Sequence, residues 1–152
     1  MDFKIVILLI TFFCTGCNLY MDEEPDYLYI SNNCDYDIHV ITTISKTDTI
    51  LPFIFESGIH RRSIPSNRTE NLFIELDTLS QTDSISFFFL KKDDVYNYSW
   101  NDITNQRLIL NIYILSKNDI SIITSKSNYP KAIPFPPSDV MKNMRIIKLY
   151  YE

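Results

Sequence analysis

Cys17, directly behind Gly16 at the end of an uncharged apolar run, is the side chain here with the most definite chemistry. Met1-Asp2-Phe3-Lys4 precedes that run, which spans residues 5–13. It is far shorter than the ~20 residues a helix needs to cross a bilayer. An apolar stretch of this length followed by a small residue has the form of a cleaved secretory signal, with a small residue just before the cut. Few other groups compete. His39 and His60 are the only imidazoles, and neither stands at metal-ligand spacing from a Cys or from the other. No metal and no cofactor is therefore expected. There is no GxSxG nucleophile elbow. Gly16 and Gly58 are the only glycines, so no phosphate-cradling loop exists. Carboxylates are many but fall in turns, and a glycosidase pair is defined by separation in space rather than along the chain.

Cys14-Thr15-Gly16-Cys17 resembles the lipobox of bacterial lipoproteins, in which a small residue precedes an obligatory Cys. Cys14 stands where the usual lipobox carries Leu. The resemblance implies that diacylglycerol joins the Cys17 thiol, that the signal is cut before Cys17, and that the new amine is acylated, with palmitate-type chains. One acyl chain binds a membrane only marginally, whereas two or more hold, at about 0.8 kcal/mol per buried methylene. Cys17 would then be a lipid anchor, and the membrane the first partner.

Asp48-Thr49-Ile50, Asp77-Thr78-Leu79 and Asp83-Ser84-Ile85 each resemble the Asp-[Ser/Thr]-aliphatic motif of Bacteroidetes O-glycosylation. The resemblance makes Thr49, Thr78 and Ser84 candidate acceptors, provided that their turns face solvent.

These groups need a scaffold. Residues 1–16 form the signal and residues 17–26 the lipidated tether, in which Asp22-Glu23-Glu24 is an acidic cluster and Pro25 blocks regular structure. Residues 27–152 form a single β-rich domain, long enough to bury a core. The leader removes one Lys and one Asp, so the net charge of -5 is unchanged. A mildly acidic chain without a basic cluster is a poor ligand for nucleic acid. Loss of Cys14 and acylation of Cys17 leave Cys34 without a disulfide partner; it is either a reactive thiol in an oxidising compartment or, the favoured reading, a small hydrophobe at a strand end.

The domain is rich in strand formers: Ile, Phe, Tyr and Thr. Tyr27-Leu28-Tyr29-Ile30 predicts a first strand and residues 36–45 a second. The Asn/Asp turn between them predicts a hairpin or neighbouring strands, with Ile38, Val40 and Ile44 on one face and His39 and Ile41 on the other. Residues 50–55 predict an edge strand containing Pro52. Residues 56–69, with His60-Arg61-Arg62, predict a solvated loop. Leu72, Ile74 and Leu76 alternate inward. Ile85-Ser86-Phe87-Phe88-Phe89-Leu90 is apolar on both faces and predicts a central strand. Ser99, with Asp102 three residues on, predicts a capped helix. Residues 107–115 predict a strand, Ser116 a turn or one-turn helix, and residues 121–124 a further strand. Residues 125–137 are Pro-rich and predict irregular chain, followed by a short capped helix over 138–144 and a last strand over 145–151. Aromatics at alternating positions are core rather than a stacking platform for sugars.

Tyr98-Ser99-Trp100-Asn101-Asp102-Ile103, Leu108-Ile109-Leu110, Tyr113-Ile114-Leu115-Ser116-Lys117-Asn118-Asp119-Ile120 and Pro136-Pro137-Ser138-Asp139-Val140-Met141 follow in an order that resembles small uncharacterised lipoproteins of Bacteroidetes. Ile30-Ser31-Asn32-Asn33-Cys34-Asp35 fits the opening of those proteins. The resemblance implies a β-rich fold in the cell envelope and carries no catalytic residues. The expected fold is all-β: an immunoglobulin-like or related β-sandwich of about seven strands with one or two short helices, the alternative being an α+β roll. The expected function is non-enzymatic: a lipid-anchored protein of the outer membrane that presents its domain for binding or assembly, to a protein or glycan partner. The domain would face either the periplasm or the cell surface. The rival reading is a small envelope hydrolase using carboxylates.

Overall fold

The computed structural model describes residues 27–45, 60–80, 84–125 and 132–148. These form an all-β fold of eight strands: β1 (Tyr27–Asn32), β2 (Ile38–Ser45), β3 (His60–Ile64), β4 (Arg68–Glu75), β5 (Ser84–Lys91), β6 (Ile109–Ser116), β7 (Ala132–Phe135) and β8 (Arg145–Lys148). Three short helices accompany them, α1 (Lys92–Asn97), α2 (Trp100–Asn105) and α3 (Lys117–Ser125), with 3-10 turns at Leu76–Thr78 and Asp139–Met141. A three-stranded sheet in the order β4-β1-β7 faces a five-stranded sheet in the order β3-β2-β5-β6-β8. The β1–β7 pair is parallel and all others are antiparallel. This order differs from the four-on-three sheets of a constant-type immunoglobulin domain, so the architecture is that of a related sandwich.

β5 organises the core, as its two-faced apolar run predicts. Ile85, Phe87 and Phe89 enter the core between the sheets, with Leu28, Ile30, Ile133 and Phe135 from the smaller sheet. Phe88 and Leu90 point the other way and pack with Ile41, Ile109, Ile112 and Ile103 of α2. The five-stranded sheet is therefore the middle layer, with the small sheet on one face and α1 and α2 on the other, while α3 packs Ile120 and Ile123 into the inter-sheet core beside β7. The aromatic centre is tight: Phe89 stacks on Phe135 at 4.5 Å and 12°, and Tyr113 lies 4.5 Å from Phe89. Burying each such ring contributes about 1.5–3 kcal/mol. Leu72, Ile74 and Leu76 are buried as expected. Cys34 is free and buried in the same core.

Several expectations are corrected. β1 and β2 are neither a hairpin nor neighbours, because the turn between them carries the chain from one sheet to the other. The His60-Arg61-Arg62 segment is the edge strand β3 rather than a loop. The turn to β4 is tight, with Asn67 in the left-handed region at φ 54°. Residues 121–124 belong to α3, not to a strand. Ser116 and Asp119 form a reciprocal cap at its start, with the Ser116 N–H donating to Asp119 Oδ2 and the Asp119 N–H donating to Ser116 Oγ. Ile120, Ile123 and Thr124 then recur at helical spacing on its buried face. In the Pro-rich stretch, Ala132–Phe135 is the strand β7. Pro134 is tolerated there because β7 is the outer strand of its sheet. The expected helix over 138–144 is only the 3-10 turn, and the Ser138 side chain does not cap it. Ser99 does cap α2, with Asp102 completing the box. The expected strand over 50–55 lies outside the described residues.

Candidate functional site

Most polar convergence in the domain ties backbone together. Asn32, at the end of β1, is fully buried. Its Nδ2 donates to the carbonyls of Tyr36 at 2.9 Å, Ile64 at 3.2 Å and Pro65 at 3.0 Å, and its Oδ1 accepts from the Cys34 N–H at 3.1 Å. One amide thus clamps the β1–β2 crossover to the end of β3. Asp37 continues the clamp: its Oδ1 accepts from the Ser66 N–H at 3.0 Å and its Oδ2 pairs with Lys92 Nζ at 3.1 Å. The Ser66 hydrogen bond, then Lys92, holds the Asp37 carboxyl below the usual carboxylate range, and Asp37 in turn raises Lys92.

His39 and Ser63 come closest to a catalytic pairing. They face each other across the β2–β3 ladder, with Nδ1 3.0 Å from Ser63 Oγ. Burial, then the charge of Arg61, pushes the imidazole pKa down, so His39 is neutral near pH 7. A serine nucleophile needs its base oriented by a third group. His39 Nε2 is buried and has no hydrogen-bond partner among the described residues. Among the described residues, the pair thus has the nucleophile and base of a triad without a group that orients the base.

An open groove of about 330 Å³ runs beside β8. Among the described residues, Met141, Met144 and Ile146 line it together with Lys142, Lys148 and a single carboxylate, Asp139. Carboxylate-based glycoside hydrolysis requires two.

The surface feature with the most unusual geometry lies on β4. Leu72 and Ile74 are buried on either side of Phe73, whose ring is 60% exposed. The β1–β4 register slips here: Tyr27 faces Glu75 while Tyr29 faces Asn71, so three residues of β4 stand opposite Leu28. Phe73 sits on this bulge at φ 57°, a conformation that a bulky side chain rarely adopts. Its N–H donates to Asn71 Oδ1 at 2.6 Å, which fixes the bulge. The Tyr27 ring meets the phenyl ring edge-on at 6.3 Å. From β3, the Arg62 guanidinium lies 5.3 Å from the Phe73 centroid while pairing with Glu70 at 3.0 Å. β3 and β4 are edge strands of different sheets, so the patch straddles the seam between them.

The residues singled out in the sequence are distributed otherwise. Gly16, Cys17 and Thr49 lie outside the described residues. Thr78 closes the 3-10 turn after β4. Ser84 is half-buried at the start of the central strand β5, opposite Ser45 and Ser116. Phe87, Phe89 and Tyr113 are core, as alternation implies. The sequence signal for Phe73 is its phase: a phenyl ring on the outward phase of a strand whose inward phase is Leu72, Ile74 and Leu76. Among the described residues no helix is long and apolar enough to cross a membrane, and no three His, Cys, Asp or Glu side chains are grouped to hold a metal. No family model, curated protein or solved structure matches this chain.

Proposed function

We propose that this is a lipid-anchored protein of the cell envelope whose β domain acts by binding or assembly. The observation that carries the reading is the apolar run ending in Gly16-Cys17, with a compact β domain beginning ten residues later at Tyr27. The resemblance to small Bacteroidetes lipoproteins supports an outer-membrane address. Two structural features favour binding over catalysis. Asn32 and Asp37, where polar groups converge most, spend their hydrogen bonds on backbone and on Lys92. The exposed patch of Phe73, Tyr27 and Arg62 offers stacking and hydrogen-bonding groups at a surface, which is the composition of a contact site.

Replacing Cys17 with Ala tests the anchor. The wild-type chain should partition with membranes, and its N-terminal peptide should carry a diacylglyceryl mass on Cys17. Cys17→Ala should move the protein to the soluble fraction. A variant that remains membrane-bound would refute lipid anchoring. Protease treatment of intact cells then reports the face: digestion of the wild-type domain places it on the surface, and protection places it in the periplasm.

A further inference from the structure

We infer that Phe73, Tyr27 and Arg62 form an interfacial contact that seats the domain against the headgroup layer of the bilayer holding its own anchor. The inference rests on acylation of Cys17. Three observations lead to the bilayer as the occupant.

The first is position. Only residues 18–26 separate Cys17 from Tyr27, so the two lie at most about 36 Å apart with the tether fully extended. Tyr27 opens β1, and its ring touches Phe73. The patch is therefore where the chain leaves its anchor and enters the fold. A contact tied this closely to a lipid is intramolecular in effect, so modest intrinsic affinity suffices.

The second is the backbone. A bulge by itself can blunt an edge strand, and a polar crest would do so equally well. Here the crest is a phenyl ring, held outward at φ 57° by the Asn71 side chain. Conformations of this kind persist where surrounding structure over-determines them, and they cluster at active sites, ligand clamps and switch regions.

The third is chemistry. A phenyl ring, a phenol and a guanidinium with an apolar stem suit the boundary between acyl chains and headgroups. Glu70 neutralises Arg62, so the patch brings no free cation of its own. Asp22, Glu23 and Glu24 precede it in the tether. This charge pattern fits a zwitterionic bilayer and disfavours an anionic one.

The test uses the full lipidated chain reconstituted into phosphatidylcholine vesicles, with and without bromine on the acyl chains. Phe73→Trp places a fluorophore on the patch. Trp100, the only Trp of the wild type, lies in α2 on the far side of the five-stranded sheet and serves as reference. Brominated lipid should quench the emission added by Phe73→Trp about twofold or more, since interfacial aromatics sit within reach of the upper acyl chains. Tyr27→Trp should report the same contact and stands in if the first variant misfolds. Replacing part of the phosphatidylcholine with phosphatidylglycerol should lessen the quenching. If the chain floats with the vesicles and Trp at 73 is not quenched by bromine, the contact is refuted while the anchor stands. Protection from aqueous iodide without bromine quenching would place a second copy of the chain over the ring and likewise overturn the proposal. If the chain fails to float, the anchor is wrong and the inference falls with it.

Discussion

Replacing Asn32 tests whether one buried amide holds the crossover between the sheets. Two N–H groups on Nδ2 serve three carbonyls, so one hydrogen is shared, and Oδ1 satisfies the Cys34 N–H. Asn32→Ala removes all four contacts at a site with no solvent exposure. The contacts to Ile64 O and to the Cys34 N–H are buried, and leaving such groups short of a partner costs roughly 1–3 kcal/mol each. The expected loss is therefore about 3 kcal/mol, a large share of the 5–15 kcal/mol typical of a domain. Asn32→Asp separates donor from acceptor effects. It keeps the oxygen that meets Cys34 but turns a second oxygen toward three carbonyls. A carboxylate there is uncompensated, so the aspartic acid folds protonated and its pKa rises above the ordinary value of about 3.9. The folded state then binds more protons than the unfolded state, and stability falls as pH rises above that ordinary value. Urea unfolding followed by far-UV circular dichroism at pH 4 and pH 7 measures both effects. Asn32→Asp should be less stable than Asn32→Ala at pH 7 and should recover toward pH 4. An Asn32→Ala variant within 1 kcal/mol of wild type would refute the clamp, as would an Asn32→Asp variant insensitive to pH.

Two further perturbations follow from the local geometry. His39 is held neutral by burial and by Arg61, so its pKa in the folded state lies below the unfolded value of about 6.5. The unfolded state takes up the proton first as pH falls, so its contribution is intact above 6.5 and is lost on going below it. Urea midpoints should drop between pH 7.5 and pH 5.5, and His39→Gln should lessen that drop; an unchanged drop would show that His39 does not carry it. At Phe73, both Ala and Gly remove the ring contacts, but only Gly accepts φ 57° without a Cβ penalty. Phe73→Gly should thus exceed Phe73→Ala in stability by about 0.5–1 kcal/mol, inverting the order found in an ordinary strand, and thermal unfolding of the two variants decides it.

What could be read from the sequence is what lies within a few residues. The two-faced burial of β5 follows from alternation in six consecutive residues, and the α2 cap from Ser99 and Asp102. At α3 two local signals conflict: Ile-Ile-Thr favours a strand by propensity, while the Ser116–Asp119 box and the spacing of Ile120, Ile123 and Thr124 favour a helix. A cap plus a buried face outweighs a propensity of a few tenths of a kcal/mol per residue. Pro134 masks β7 in the sequence, because Pro argues against a strand except where the strand is the outer one.

Pairing between strands is a different kind of quantity. Five residues rich in Asn and Asp describe a hairpin turn as well as a crossover, and nothing between Asn32 and Ile38 distinguishes the two. The choice is made by Asn32 reaching Ile64 and Pro65, more than thirty positions away, and by Phe89 stacking on Phe135. These contacts have no period and no motif. The same holds for the candidate contact surface. Its outward phenyl ring was visible in the phase of β4, but its partners arrive from β1 and from β3. An outward aromatic becomes a site only when the fold brings a second ring and a guanidinium to it, so the strand order that the sequence leaves open is also what makes the surface.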